Sequence, residues 1–278
     1  MSGTLYVVAT PIGNLEDLTV RARRVLEESD VIACEDTRHA RILLAHYGIR
    51  TPLLSYHERN ERTRAKDLLR RLASGADVAL ITDAGTPALS DPGFPLIRDA
   101  IDSGVAVVAL PGPSAALAAL AVAGLPTDRF TFLGFLPRRS AERKRALEPV
   151  RGLPWTLVIY EAPHRVAAVL HDLRAVLGDR RVAVARELTK RFEEVFRGTL
   201  SEALAELAAR PPRGEFTLVV EGAAGPPPAP SPGDARRQMR ELLRSGRSPT
   251  EAVAEVMRAA GLARREAYQL FLEVRGKR

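Results

Sequence analysis

The stretch LYVVATPIGNLEDLT, residues 5–19, joins an apolar run to a polar loop and then to the start of an amphipathic segment. The apolar residues predict a buried strand over Thr4–Ala9, and the later spacing predicts a helix over Leu18–Glu28. A strand that leads through a tight loop into a helix is the repeating unit of an open α/β sheet. The loop has one glycine, Gly13, so it does not fit the glycine-rich fingerprint of dinucleotide-binding proteins.

The same alternation continues through the first half of the chain. We predict further strands at Val31–Cys34, Leu53–Leu54, Val78–Thr82 and Val105–Leu110, and helices at Arg38–Tyr47, Arg59–Ser74, Leu96–Ser103 and Ser114–Ala123. Strands separated by helices indicate a mostly parallel sheet with helices on both faces.

The segment Gly124-Leu125-Pro126-Thr127 interrupts this pattern, and we place the end of a first α/β domain at residues 1–124. A second α/β domain follows at residues 125–224. Its strands are predicted at Phe130–Leu133, Leu157–Tyr160, Arg181–Ala185, Glu193–Phe196 and Phe216–Val220, and its helices at Arg139–Val150, His164–Leu177 and Leu200–Ala209. These elements interleave less regularly, which favours a mixed sheet.

The last part of the chain has a different composition. Five prolines in the nine residues 225–233 predict an extended linker. Residues 234–278 form a predicted helical module, with helices at Asp234–Arg244, Pro249–Ala260 and Ala263–Arg275. Ser248 and Glu251 frame the second of these as a capping box.

Positive charge is concentrated in that module. The chain carries a net charge of +7, and residues 233–278 hold 11 Arg or Lys against 6 Asp or Glu, a net of +5. This distribution favours nucleic acid as a partner, although a basic enzyme without a polyanionic partner stays open. Two helices joined by a short turn, with Arg264 and Arg265 near the start of the second, resemble a helix-turn-helix. A packing or dimerisation role is the alternative.

Four loops follow predicted strands of the first domain: Thr10–Asp17, Glu35–Arg38, Asp83–Gly93 and Pro111–Ala115. In an open α/β sheet, ligands bind beyond the carboxyl ends of the strands. The loop DAGTPALSDPG (83–93) has glycines, prolines and hydroxyls but no lysine, and the chain has no P-loop motif, so this loop suits a ligand with little negative charge. A pair of structural turns is the alternative. Likewise, Ser114 is a helix N-cap or part of a carboxylate site.

Several other classes of protein are disfavoured. The histidines and the single Cys34 lack metal-ligand spacing, so we expect no metal. No apolar run approaches the length of a membrane span, and a strand predicted from about residue 4 leaves no room for a signal peptide. With one cysteine, these features predict a cytoplasmic protein that does not act at membranes.

Nine motifs together resemble a known family. They are VATPIGNLEDLT (8–19), ACEDTR (33–38), SYHERNE (55–61), ITDAGTPALSDPG (81–93), PGPSA (111–115), GFLPR (134–138), YEAPHR (160–165), ARELTKRFEE (185–194) and FRGTL (196–200). In this order they are similar to the 2′-O-methyltransferases of small-subunit ribosomal RNA, a branch of the tetrapyrrole-methylase-like S-adenosylmethionine methyltransferases. The resemblance implies two α/β domains of tetrapyrrole-methylase type, S-adenosylmethionine in the cleft between them, and a homodimer. It also implies methylation of a cytidine ribose in the decoding region of 16S ribosomal RNA in the small subunit.

The resemblance also implies where the cofactor binds. The implied cofactor residues are Pro11, Gly13, Asp83, Ala84, Gly85, Thr86, Pro87, Leu89, Ser114, Ala115, Glu161, Ala162 and Leu188. The match is loose at Glu161, Ala162 and Leu188, and the first loop departs from the GxGxGxxxLLT pattern of the wider superfamily.

The motif positions further suggest catalytic and RNA-binding residues. A ribose hydroxyl needs a base, or a cation that stabilises its developing oxyanion, and Lys190 is our first candidate for either role. His57, Asp36 and Glu187 are the other catalytic candidates. The residues predicted to contact RNA are Arg38, Glu58, Arg138, Arg165, Arg186, Arg264 and Arg265.

Two other functions stay open from the sequence. One is methylation of a tetrapyrrole or another small molecule, which would require a roomy apolar cleft. The other is a non-catalytic, RNA-binding ribosome assembly factor, which would not explain the cofactor motifs.

Overall fold

A computed structural model describes residues 2–209, 211–224, 232–260, 262 and 264–275. Residues up to Ala223 form one compact unit, and residues from Ala224 onward form a second. The first unit contains both α/β halves. The boundary predicted between residues 124 and 125 stays a prediction, and Gly124 there ends a helix in the left-handed conformation, with φ of 70°.

The first sheet is entirely parallel, in agreement with the mostly parallel sheet predicted for the first half of the chain. Its strands are β1 (Thr4–Val8), β2 (Val31–Cys34), β3 (Leu53–Ser55), β4 (Val78–Leu80) and β5 (Ala106–Leu110), in the order β3-β2-β4-β1-β5. The helices are α1 (Val20–Glu28), α2 (Thr37–His46), α3 (Glu61–Ala73), α4 (Phe94–Asp102) and α5 (Ala115–Ala123). Helices α1 and α2 belong to one core cluster with this sheet, and α3 and α4 belong to another.

The second sheet is mixed, as predicted. Its strands are β6 (Phe130–Phe135), β7 (Thr156–Glu161), β8 (Arg181–Arg186), β9 (Glu194–Thr199) and β10 (Phe216–Val220), in the order β6-β7-β10-β8-β9. Only β6 and β7 pair in parallel. Helices α6 (Ser140–Leu147), α7 (Val166–Leu177) and α8 (Leu200–Ala209) share a core with this sheet.

Helix α5 joins the two halves of the first unit. Its buried face consists of Ala116, Ala119, Leu120 and Ala123, and it packs with Val158 and Val219 of the second sheet. Small side chains let the helix approach the sheet closely, which explains why α5 is rich in alanine.

Several predicted boundaries were wrong by a few residues, for local reasons. Helix α1 starts at Val20 because Thr19 is its N-cap and accepts a hydrogen bond from the Ala22 N–H. Helix α6 stops at Leu147, and a 3-10 turn follows over Glu148–Val150, since the residue before Pro149 is disfavoured in a helix.

The second unit is a three-helix module of α9 (Pro232–Arg244), α10 (Pro249–Ala260) and α11 (Arg264–Arg275). Met239, Val256 and Phe271 lie in its core. The predicted capping box is present, because Ser248 N–H donates to Glu251 Oε2 at 3.0 Å and Glu251 N–H donates back to Ser248 Oγ at 3.4 Å. The predicted linker lies outside the described residues over 225–231. At the end of this segment α9 begins at Pro232, because a proline suits the first turn of a helix.

Candidate active site

A cleft of about 430 Å³ lies where loops of the two sheets meet. Its first wall comes from loops that follow β1, β2, β4 and β5, and its second wall from the ends of β6, β7 and β8. The lining residues are Ile12, Glu35, Asp83, Ala84, Gly85, Thr86, Leu89, Ser90, Asp91, Ser114, Ala115, Phe135, Tyr160, Glu161, Ala162, Pro163, Ala185, Leu188, Glu215, Phe216 and Thr217. This volume is within the usual range of small-molecule sites.

Most of the residues predicted to bind a cofactor line this cleft together. They are Asp83, Ala84, Gly85, Thr86, Leu89, Ser114, Ala115, Glu161, Ala162 and Leu188. Pro11, Gly13 and Pro87 are not among the lining residues. Pro11 and Pro87 are buried inside their loops, where a proline restricts the backbone.

Two of the first-wall loops are hydrogen-bonded to each other. Thr10 N–H donates to Gly85 O at 2.9 Å, and Gly85 N–H donates to Thr10 O at 3.0 Å. The Thr10 hydroxyl also donates to Thr82 O at 3.0 Å. Gly85 has φ of 82°, a conformation that favours glycine. These bonds hold the loop of residues 83–93 against Thr10, just after the carboxyl end of β1.

Strained backbone occurs in both walls. Ala88 and Ser90 in the first wall have φ of 67° and 68°, and Glu187 and Thr189 after β8 have φ of 51° and 65°. They are the left-handed residues other than glycine among those the structure describes. Such conformations cost about 1–3 kcal/mol each and cluster at functional sites.

Glu161 is the buried carboxylate of the cleft. Its Oε1 accepts a hydrogen bond from the Ala162 N–H at 2.8 Å and lies 3.2 Å from Arg165 Nε. Its Oε2 is buried and has no hydrogen-bond partner within the described part of the chain. Burial raises the pKa of this carboxyl. An unpaired buried acceptor costs free energy, so this oxygen suits a ligand that brings an N–H or O–H donor.

Tyr160, the residue before Glu161, connects the second wall to the first. Tyr160 accepts a hydrogen bond from the Ala116 N–H at 3.1 Å, at the start of α5. Ser114 is the N-cap residue of α5, but its side chain makes no capping bond, and it hydrogen-bonds Tyr160 instead.

Three carboxylates, Glu35, Asp83 and Asp91, line the first wall. The Thr82 hydroxyl donates to Glu35 Oε2 at 3.3 Å, and it also hydrogen-bonds Asp91. Burial, followed by the charge of Glu35, raises the pKa of Asp91 to about 6. Burial and the charge of Asp83 raise the pKa of Glu35 as well. Asp91 can therefore exchange a proton near neutral pH.

Lys190 is not a lining residue of the cleft, but it lies between two carboxylates, of which Glu215 lines the cleft. Its Nζ is 2.8 Å from Glu187 Oε1 and 3.0 Å from Glu215 Oε2. Burial lowers the pKa of Lys190, but the two hydrogen bonds outweigh it and leave the pKa above its ordinary value. The bond from Lys190 lowers the pKa of Glu187. This geometry favours a charged lysine, and it disfavours both Lys190 and Glu187 as bases.

Gly13 explains how Lys190 reaches this position. A Cβ at residue 13 would lie 2.3 Å from Lys190 Cγ, so only glycine leaves room for the lysine stem. The single glycine of the first loop thus accommodates a side chain of the second wall.

Asp36 and His57, like Lys190 and Glu187, are not among the residues that line the cleft. Asp36 is the N-cap of α2 and forms an ion pair with the exposed Arg38, whose hydrogen bonds hold the pKa of Asp36 below its ordinary value. The His57 ring nitrogen Nε2 is 3.3 Å from Asn60 Nδ2. A carboxylate with a lowered pKa is a weak base, which makes Asp36 a poor proton acceptor.

The predicted RNA contacts are in several places. Arg138 is exposed, as are Glu58 and, in the second unit, Arg264 and Arg265 at the start of α11. Arg186 pairs with Glu194 at 3.2 Å. Arg165 is used internally, because its Nη2 donates to Leu136 O at 2.6 Å and to Pro137 O at 3.2 Å. Few of the hydrogen-bond donors of Arg165 are therefore left to bind a phosphate.

Sequence reasoning missed several lining residues. Phe216 is an example, because β10 runs antiparallel to its neighbours and its first residue pairs with Glu161 and Arg186 at their carboxyl ends. The hydrophobic pattern identifies the strand but not its direction, so it could not place Phe216 in the cleft.

No group of three or more His, Cys, Asp or Glu in the described ranges is placed to hold a metal ion. In the same ranges, no helix is long and apolar enough to span a membrane.

The chain matches the family described as Tetrapyrrole (Corrin/Porphyrin) Methylases over residues 4–204. It is 52% identical to Ribosomal RNA small subunit methyltransferase I of Halalkalibacterium halodurans, over 79% of this chain and 76% of the relative. A protein of the same name from Pseudomonas aeruginosa is 46% identical over 99% of each chain.

A solved structure shares the fold of the two sheets. Uroporphyrin-III C-methyl transferase from Thermus thermophilus, complexed with S-adenyl homocysteine, is 22% identical with a TM-score of 0.57, covering 78% of this chain and 97% of that one. The resemblance seen in the nine motifs is thereby confirmed. The chain belongs to the tetrapyrrole methylase family and, within it, to the group of methyltransferases named ribosomal RNA small subunit methyltransferase I.

Proposed function

We propose that this protein transfers a methyl group from S-adenosylmethionine to the ribose 2′-oxygen of a cytidine in the decoding region of 16S ribosomal RNA. The observation that carries the proposal is high identity to relatives named for small-subunit ribosomal RNA, over nearly the whole chain. The proposed setting is the cytoplasm. A homodimer is part of the proposal, and Leu117 and Val122 on α5 expose apolar surface for a second copy.

The cleft residues fit the proposed cofactor. S-adenosylmethionine supplies a methyl group activated by a sulfonium, and it also carries amino and hydroxyl donors. The unpaired Oε2 of Glu161 is available to one such donor. The acidic first wall suits a ligand with a positive centre, and the cleft has no cluster of lysines that would call for phosphates.

Two side chains have different roles in the proposed catalysis. We propose that Lys190, whose ammonium pairs with Glu187 and Glu215, stabilises the oxyanion that develops on the ribose. Asp91 lines the first wall beside Glu35 and Asp83, and we propose it as the proton acceptor.

The assay for this function offers three acceptors to the purified protein with radiolabelled S-adenosylmethionine. They are small ribosomal subunits, naked 16S ribosomal RNA and a tetrapyrrole precursor. We expect label on RNA at a cytidine 2′-oxygen. Label on the tetrapyrrole would favour the small-molecule alternative, and cofactor binding without transfer would favour an assembly factor.

Substitution of Lys190 tests its charge. We expect Lys190→Ala to lower the single-turnover rate by about 10²–10³-fold, the usual cost of losing an oxyanion donor. Lys190→Arg should retain more activity, because arginine keeps the charge. Cofactor affinity should change little in either variant.

Lys66→Ala, at an exposed lysine of α3, is the matched control and should behave as wild type. Near-normal rates in both Lys190 variants would exclude the oxyanion role.

A further inference from the structure

A second cavity lies beside the cofactor cleft. It has a volume of about 760 Å³ and is lined by Phe135, Leu136, Pro137, Arg138, Ala162, His164 and Arg165. Phe135 and Ala162 line both cavities, so the two meet at Phe135.

Phe135 lies at the end of β6, a strand with an irregular register. The pairing of β6 with β7 shifts register between Phe132 and Gly134, and Gly134 has φ of 60°. A bulge of this kind re-aims the side chain that follows it. The Phe135 ring is 55% exposed, and its centroid is 5.7 Å from that of Tyr160. A large apolar ring is therefore held in place yet open to solvent.

Two arginines hold the backbone that carries this ring. Arg165 donates to the carbonyls of Leu136 and Pro137, and Arg143 Nη1 donates to those of Pro137 and Arg138 at 3.1 Å each. Arg143 is itself fixed, since its Nε donates to Asp172 at 2.8 Å and its side chain is 4% exposed. Such support keeps a binding surface in one geometry before a ligand arrives.

The charge of the second cavity differs from that of the cleft. The cleft is lined by five carboxylates, Glu35, Asp83, Asp91, Glu161 and Glu215. The residues that line the second cavity include none, and the exposed Arg138 and His164 stand on its edge. The carboxylates of the cofactor cleft repel phosphates, and the basic side chains of the second cavity attract them.

We infer that the second cavity binds the acceptor nucleotide, with its base stacked on the Phe135 ring. Arg138 and His164 contact the adjoining phosphates. Proteins read single-stranded RNA by stacking splayed-out bases on aromatic side chains beside basic groups, and Phe135 with its edge residues has that composition. This inference rests on the proposed function, and it adds the position of the base, for which the sequence analysis named no residue.

Phe135→Ala and Phe135→Trp, compared with wild type, test the stacking. We expect Phe135→Ala to raise the Kd for small-subunit RNA at least about fivefold, the lower end of what one stacked base contributes. Phe135→Trp keeps a stacking face and should bind RNA within about twofold of wild type. Because Phe135 also lines the cofactor cleft, the Kd for S-adenosylmethionine, measured by calorimetry, is compared in parallel, and we expect it to rise less in Phe135→Ala than the Kd for RNA.

Phe130→Ala is the matched control, since Phe130 is an exposed phenylalanine at the other end of the same strand. Equal RNA affinity in Phe135→Ala and Phe130→Ala would overturn the inference, as would a loss in cofactor affinity as large as the loss in RNA affinity. If the wild-type protein methylates no RNA, the proposed function fails instead.

A fluorescence experiment separates stacking from a structural role. Trp155 is the single tryptophan of the chain, so the variant Phe135→Trp with Trp155→Phe reports only on position 135. We expect RNA to quench its emission. Unchanged emission at saturating RNA would overturn the inference.

Discussion

Asp91 shows how burial alters one residue of the cleft. Its carboxyl has a pKa of about 6 because it is partly buried and faces Glu35. In the unfolded chain an aspartate has a pKa of about 3.9. Between these values the folded state binds more protons than the unfolded state, so the free energy of unfolding falls as the pH rises.

The variant Asp91→Asn removes this titration. We expect it to be more stable than wild type at pH 8 by about 1–2 kcal/mol, a figure that allows for partial exposure. The difference should vanish towards pH 3, where the wild-type carboxyl is protonated in both states. Urea denaturation across this pH range measures it.

Asp102→Asn, at an exposed aspartate of α4, makes the same chemical change away from the cleft and is the control. An Asp91→Asn difference that stays constant with pH would contradict the assigned cause. If Asp91 is also the proton acceptor, the stabilised variant should transfer methyl groups slowly.

At the scale of the element, the first loop and the segment after β8 depend on each other. The stem of Lys190 passes over Gly13, where a Cβ would lie 2.3 Å from Lys190 Cγ. We expect Gly13→Ala to displace the ammonium and to lower kcat about tenfold or more, with cofactor affinity within about threefold of wild type.

Gly152→Ala is the control for this change, since a Cβ there meets open space. Steady-state kinetics and calorimetry on both variants give the comparison. A normal kcat in Gly13→Ala would mean that Lys190 relaxes without loss and that its position is not critical.

The elements were largely predictable from the sequence, because burial and periodicity are local signals. Strands β2 and β10 and helix α8 have the predicted bounds.

The first wall of the cleft was also predictable, since the loops after parallel strands share one edge of a sheet. The second wall was not. The direction of β10, the bulge before Gly134 and the carboxylate pair around Lys190 all depend on contacts between distant segments.

At the scale of the whole molecule, the basic tail forms a compact unit of its own. Its helices α10 and α11 follow one another closely, and Arg264 and Arg265 are exposed where α11 begins. The sequence predicted the helices and their charge, but it could not decide between RNA binding and packing, because both require an amphipathic bundle.

The double variant Arg264→Ala, Arg265→Ala distinguishes these roles. If both side chains contact phosphates, the slope of log K for RNA against log salt should become shallower by about 1.4–1.8. Cofactor affinity should not change. Binding titrations at several salt concentrations measure the slope.

Arg70→Ala, Arg71→Ala on α3 removes the same charge from a helix of the first unit, where both side chains pair with Asp67. It should leave the slope nearly unchanged. An unaltered slope in the tail variant would favour a packing or dimerisation role instead.

The left-handed residues Ala88, Ser90, Glu187 and Thr189 lie in the two facing walls. Their conformational cost is met when the chain folds, so a ligand that enters the cleft does not have to supply it. Glycine at these positions would relieve the cost, because it adopts the left-handed conformation without strain. The side chains that remain there indicate a trade between thermal stability and a cleft that is already arranged for its substrates.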